Sequence, residues 1–365
     1  MEAVSEAFFE ALLSWYARNA PDLPWRRSRD PYHIWLAEVM LQQTQVATVI
    51  PYYERFLAAF PTVQALAEAP LERVLKLWEG LGYYSRARNL HRAAQRVVAE
   101  HCGRLPQSVE ALRKLHGIGR YTAGAIASIA FNQPAAALDG NVMRVLARLY
   151  DYAEPIEKPE AQRHLWQVAE RMARAAPSGS AAEYTQAMMD LGRDICTPRA
   201  PRCAECPVYA FCRAHAAGTQ ALRPVRTPKA AVPHYAVGAA ILYNDSGELL
   251  MARRPLDGLL GGLWEFPQGQ ARDSESPEAA LQRALREKLA LTVSVGTLLT
   301  KVRHAFTHFK ITLHAYHCHA EKPEPRPLGY TECVWIALED TDQLPISRAD
   351  RHVIAFLRTD RARLF

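Results

Sequence analysis

The sequence has little of what would place it in or across a membrane. No stretch of its 365 residues approaches the roughly 18 uninterrupted apolar residues of a membrane span. The start, MEAVSEAFFEALLSWYARNA, has early acidic residues and a helical apolar period. It lacks the basic start and long apolar run of a secretory signal, so the expectation is a cytoplasmic chain. Charge of one sign is also scarce. The net charge of +6 is a mild hint of an anionic partner such as nucleic acid, and neither half is a basic tail. Cysteine is sparse except in one place. Four of the seven lie in CTPRAPRCAECPVYAFC, residues 196–212, while Cys102, Cys318 and Cys333 stand alone. A reducing compartment disfavours disulfides, which leaves a metal as the better account of the four thiols.

Strand-like alternation is scarce before residue 217, and there is no internal repeat. Asp30-Pro31 is a helix start, with a capping side chain followed by proline at the first helical position. Ser108 opens VEALRKL, and RYTAGAIASIAF and NVMRVLARLY follow as helical runs. The segment 218–233, GTQALRPVRTPKAAVP, has three prolines, three basic residues and little to bury, and reads as a linker. Beyond it HYAVGAAILYNDSGELLMARRP predicts two strands around an Asn-Asp-Ser-Gly turn. Ser276 and Pro277 open a helix, and VRHAFTHFKITLHAYHCHA and ECVWIAL return to strands. The expectation is a helical domain over 1–217 and an α+β domain over 234–365.

Two motifs carry chemistry. The thiol spacing C-x6-C-x2-C-x5-C, formed by Cys196, Cys203, Cys206 and Cys212, suits zinc or an iron–sulfur cluster about equally. In LRKLHGIGRYTAGAI, residues 112–126, Gly117 and Gly119 lie between two helical runs. Glycines there let the backbone approach another molecule, and the amides opening the next helix can hold a phosphate. A plain turn between packed helices is the competing account, since a lone Gly-x-Gly is weak.

The hairpin, then LDGNVMRVLAR, then the cysteine loop occur in this order in the endonuclease III superfamily of base-excision DNA glycosylases. With WLAEVMLQQTQVATVIPYYERF and a Nudix-like second domain, the chain resembles the MutY-type adenine DNA glycosylases over nearly its whole length. The resemblance implies an all-α helix-hairpin-helix glycosylase fold followed by an α+β Nudix-like domain. It implies a 4Fe-4S cluster on the four cysteines and a monomer acting on double-stranded DNA with A:8-oxoguanine or A:G mispairs, at the bacterial nucleoid. Glu38 is implied as the acid that protonates adenine and later activates water. Its neighbours Ile34, Trp35 and Leu41 would raise its pKa. Asp139 is implied to stabilise the sugar cation, oriented by Asn141; a simple helix cap would look the same. Tyr121 stands where strand-nicking relatives carry a lysine, and a phenol forms no Schiff base. The reading is a monofunctional glycosylase. Trp25, Arg26 and Gln186 match the adenine pocket, and Gln43 and Tyr83 match residues that fill the gap left by a flipped base.

In the second domain Gly269, Glu275, Arg283 and Glu287 fit a Nudix box, while Ala284 and Lys288 replace two of its carboxylates. Mg²⁺ needs clustered oxygens, so the pyrophosphatase site reads as lost. The resemblance makes this domain the reader of 8-oxoguanine through Phe306, Thr307 and His308. A Nudix nucleotide hydrolase with a DNA-binding extension, a glycosylase of other base preference and a non-catalytic DNA-binding scaffold are the rival readings.

Overall fold

A computed structural model describes residues 5–228 and 231–361. Residues 1–4, 229–230 and 362–365, at the edges of the expected domains and inside the expected linker, lie outside the described residues. The chain divides into two compact units, residues 1–68 with 89–229, and residues 69–88 with 230–365.

The first unit is helical. Its core gathers Leu12, Leu146, Leu165 and Met188, all buried. The Pro31–Leu41 helix starts as its sequence dictates, with the Asp30 carboxylate accepting from the Tyr32 amide at 2.8 Å and proline at the first turn. The Gly140–Leu149 helix buries Val142, Val145, Leu146 and Leu149, the face its spacing predicts. Between them runs the Arg120–Ile129 helix. A side chain at Gly124 would stand 1.8 Å from the Ala136 carbonyl oxygen, so glycine alone lets this helix lie against the segment that leads into Asp139. The helix before the glycine turn is shorter than VEALRKL suggests and covers Val109–Leu112. Tight three-residue turns then carry the chain through Leu115 to Gly117, whose φ of 74° ends any helical course.

The expected linker is tied down over its first half. The Arg148 guanidinium, 2% exposed, donates to the carbonyls of Gln220 and Arg223, and the Ile156 amide donates to Val225. These are backbone partners that composition does not reveal.

Among the described residues the second unit has seven strands: β1 (His234–Ile241), β2 (Leu249–Arg253), β3 (Trp264–Glu265), β4 (Gln268–Gln270), β5 (Val293–Ala305), β6 (Lys310–Ala320) and β7 (Glu332–Ile336). One sheet has the order β4-β1-β6-β5 and the other β3-β2-β7, so β1 and β2, adjacent around the Asn244 turn, enter different sheets. The Pro277–Leu289 helix lies on β1 and β4, where Gly238 pairs with Gly269. Their absent side chains are what let the helix in: a Cβ at Gly238 would be 2.2 Å from the Pro277 carbonyl oxygen, and one at Gly269 2.3 Å from that of Ala280. The segment 69–88 belongs to this unit. Glu72 accepts from the Trp264 indole at 2.7 Å, Lys76 donates to the Leu344 carbonyl at 3.1 Å, and Arg351 clamps Glu79.

Substituting Gly238→Ala must push the Pro277–Leu289 helix off the sheet. It should destabilise the second unit by about 1–3 kcal/mol, read as a lower midpoint in urea unfolding; an unchanged midpoint would mean that the contact is not close.

Candidate active site

One cavity of about 340 Å³ in the first unit is lined by Trp25, Arg26, Glu38, Tyr121, Asp139, Asn141 and Gln186. All seven residues picked from sequence for catalysis and base binding therefore share one wall. Glu38 is 6% exposed. Burial pushes its carboxyl up to about 7, opposed by a hydrogen bond from the Tyr121 hydroxyl at 2.6 Å. Tyr121 is raised by burial and by the Glu38 and Asp139 carboxyls, so its phenol stays a donor. Asp139 caps the Gly140–Leu149 helix: one oxygen accepts from the Val142 amide at 2.7 Å and the other from the Asn141 side chain at 3.0 Å. Burial raises this carboxyl too, while those bonds and the Arg144 charge act to lower it. Arg144 in turn donates to the Asn141 side-chain oxygen at 3.0 Å and to the carbonyl of Cys196 at 2.7 Å. The two carboxyls thus differ in surroundings. Asp139 collects several groups that favour its charge, and Glu38 has a neutral phenol as its side-chain donor.

Asp190 was missed by the sequence reading. It is 2% exposed and takes the Arg26 guanidinium in a two-pronged pair at 2.7 and 2.9 Å, and Arg193 at 2.9 Å. Its signal was its place four residues after Gln186, on the same helix face. Gln186 itself bonds back to the Ala182 carbonyl at 3.3 Å.

Gln43 and Tyr83, the two residues expected to enter the DNA stack, fall in different units. They share an uncommon backbone: both are exposed, with φ of 57° and 50°. Left-handed non-glycine residues cost about 1 kcal/mol or more and concentrate at functional sites. Gly117 and Gly119 are exposed in the hairpin turn, and Gly119 precedes the first residue of the Arg120–Ile129 helix.

In the second unit Phe306, Thr307 and His308 form the turn between β5 and β6, closed by the Phe306 amide on the Phe309 carbonyl at 2.8 Å. Phe306 stacks on Phe309 with ring centres 4.6 Å apart, and Thr307 and His308 are exposed. This turn and the 80–88 segment line one cavity of about 460 Å³, and the Tyr83 and Thr307 hydroxyls are hydrogen-bonded.

Cys196, Cys203, Cys206 and Cys212 are free, half-buried and grouped around a cavity of about 30 Å³. Arg148 points a guanidinium N–H at the Cys196 sulfur, 3.2 Å away. In the Nudix-like box, Glu275 pairs with Arg283 at 2.8 Å and Arg283 reaches Glu287 at 3.3 Å. Ala284 packs under Gly269, and the Lys288 ammonium turns inward to donate to the Gln268 carbonyl at 2.9 Å. Among the described residues no three His, Cys, Asp or Glu side chains are placed to hold a single metal ion. No helix there is long and apolar enough to cross a membrane.

Residues 36–171 match the HhH-GPD superfamily of base excision DNA repair proteins, and residues 238–356 match the NUDIX domain. The adenine DNA glycosylase of Rattus norvegicus is 36% identical over 95% of this chain and 77% of its own length. That of Homo sapiens is 37% identical over 95% of this chain and 73% of its own. Among solved structures, a thermostable thymine-DNA glycosylase superposes with a TM-score of 0.52 at 28% identity, covering 58% of this chain and 96% of that one. The chain belongs to the adenine DNA glycosylases, base-excision repair hydrolases that act on the N-glycosidic bond.

Proposed function

We propose that this chain is a monofunctional glycosylase that removes adenine paired with 8-oxoguanine or guanine in double-stranded DNA, working as a monomer in the cytoplasm at the bacterial nucleoid. The observation that carries the reading is the pairing of a buried acid, Glu38, with a capped carboxylate, Asp139, on one cavity wall. Glu38 gives its proton to a ring nitrogen of the flipped adenine. The glycosidic bond breaks with its electron pair going to the base, and Asp139 stabilises the cation left on the sugar. The Glu38 carboxylate then takes a proton from the attacking water. Tyr121 holds the Glu38 carboxyl and offers no amine, so the abasic strand stays intact. Trp25, Arg26 and Gln186 surround the base, with Arg26 fixed by Asp190. Gln43 and Tyr83 enter the stack as the adenine leaves it. Gly117 and Gly119 give the DNA backbone close access to the helix-start amides.

The four cysteines would hold a 4Fe-4S cluster. Four free thiols around one small cavity, with the Arg148 guanidinium beside one sulfur, are a donor set suited to a thiolate-bound cluster. Bound, the cluster would staple the loop after the adenine-pocket helix. Phe306, Thr307 and His308 would read 8-oxoguanine. Its changed nitrogen is a donor where guanine has an acceptor, and the Thr307 hydroxyl can accept from it.

Three outcomes test this reading. Glu38 loses its proton as pH rises through about 7, so single-turnover adenine release should fall on the alkaline side of that value. Tyr121→Phe removes a donor that favours the charged form and should move that limb to higher pH; Glu38→Gln should slow release roughly a hundredfold or more below about pH 7 and remove the alkaline limb. Near-normal release by Glu38→Gln would reject the acid. Thr307→Ala together with Phe306→Ala should narrow the preference for A:8-oxoguanine over A:G in parallel release assays, and full discrimination would reject the reader. The purified protein should be brown and hold about four irons with acid-labile sulfide; stoichiometric zinc without sulfide would reject the cluster.

A further inference from the structure

The turn that presents Tyr83 is built of left-handed backbone. Gly80, Gly82 and Tyr83 have φ of 92°, 78° and 50°, three left-handed positions among four residues. Glycine takes that region freely and tyrosine does not, so the Tyr83 conformation persists only where its surroundings hold it. The Trp78 indole donates to the Gly82 carbonyl at 3.0 Å, and the Gly80 amide donates to the Tyr84 hydroxyl at 3.0 Å. Arg86 does more than either. Its guanidinium donates to the carbonyls of Leu81 at 3.4 Å and Gly82 at 3.1 Å. It faces both the Trp78 ring, 5.4 Å away, and the Tyr83 ring, 5.3 Å away. Arg86 is 8% exposed while Tyr83 is 41% exposed, so the cation lies inside the turn and the ring stands outside it.

An interior guanidinium is expensive to desolvate. An apolar side chain would fill the same space more cheaply, but it could not donate to the two inward carbonyls of a left-handed turn. Arg86 is also too enclosed to be a phosphate contact. We infer that Arg86 is a positioning residue for Tyr83: it holds the Gly80–Tyr84 turn so that the Tyr83 ring is presented to the DNA stack in one orientation before DNA arrives. The inference rests on the reading of Tyr83 as the group that enters the stack. It explains why a residue with no role in proton transfer and no access to the duplex is a buried arginine.

The test uses the full chain and a duplex with A:8-oxoguanine and 2-aminopurine beside the target adenine, whose fluorescence rises when the stack opens. Five proteins are compared: wild type, Arg86→Met, Arg86→Lys, Tyr83→Ala and the double variant of Arg86→Met with Tyr83→Ala. Arg86→Met should lose most of the fluorescence rise and slow single-turnover release about tenfold, as expected for losing charge-assisted bonds under a strained turn. The double variant should be no worse than Tyr83→Ala, because Arg86 acts through that ring. Arg86→Lys, which keeps the charge but not the planar fork, should recover part of the fluorescence rise and guards against a Met variant that fails to fold. Binding to undamaged duplex should keep its wild-type salt dependence in every variant. Additive losses in the double variant, or a shallower salt slope for Arg86→Met, would overturn the inference. If Tyr83→Ala alone leaves fluorescence and rate at wild-type levels, it is the stack-entry reading that fails, and the inference falls with it.

Discussion

The hydrogen bond from Tyr121 to Glu38 is the contact around which the first unit is arranged. A buried carboxyl resists ionisation, and a neutral phenol relieves only part of that resistance. A lysine at 121 would draw the proton away and bring a nucleophile of its own. The phenol leaves the Glu38 carboxyl raised and brings no amine. For the two side chains to meet, the Pro31–Leu41 and Arg120–Ile129 helices must lie together. The second of these must also fit against the strand of chain at Ala136, which it does through Gly124. Asp139 follows three residues later, so the same close approach that seats Tyr121 also sets the distance at which the second carboxyl is delivered. One glycine contact thus bears on the placing of both Tyr121 and Asp139.

The cavity wall was legible through the family resemblance, since locally a surface glutamate and a simple helix cap would look the same. Asp139 is a helix cap, Glu38 lies among apolar helix neighbours, and the cysteines are counted rather than inferred. What stayed hidden depends on distant partners. Asp190 looks like one more polar residue on an amphipathic helix until Arg26, far away in sequence, is seen to need it. Arg148 reads as a solvated helix residue, yet it pins the start of the expected linker. The turn at Asn244 was legible, but not the fact that its two strands part into different sheets. Alternation shows which residues face a core and does not show which core. Least visible of all was the allegiance of 69–88, whose sequence is as helical as its neighbours and whose packing partners come from the other end of the chain.

In the Nudix-like box the packing of helix on sheet rests on small residues. Gly269 remains because the helix rests on it, and Ala284 fits the space beneath because a longer side chain would lift the helix away. Lys288 brings a positive charge into the place that carboxylates of the motif would have offered to a cation. Burial lowers its pKa, while the Glu265 carboxylate acts the other way. The helix and its glycine shelf serve packing, and the Lys288 ammonium is tied to the Gln268 carbonyl beneath them.

The inclusion of 69–88 in the second unit has a consequence for how the chain is made. A ribosome delivers this segment early and its partners late. Glu72 waits for Trp264, Lys76 for Leu344 and Glu79 for Arg351, in the last helix of the described chain. Leu75, buried in the finished protein, lacks the cover of the Gly262 turn until that turn has been synthesised. The lining of the cavity of about 340 Å³, from Leu23 to Arg193, is complete in sequence while the partners of the Tyr83 segment are still to be made. Segment 69–88 therefore waits for its cover longer than the helices on either side of it.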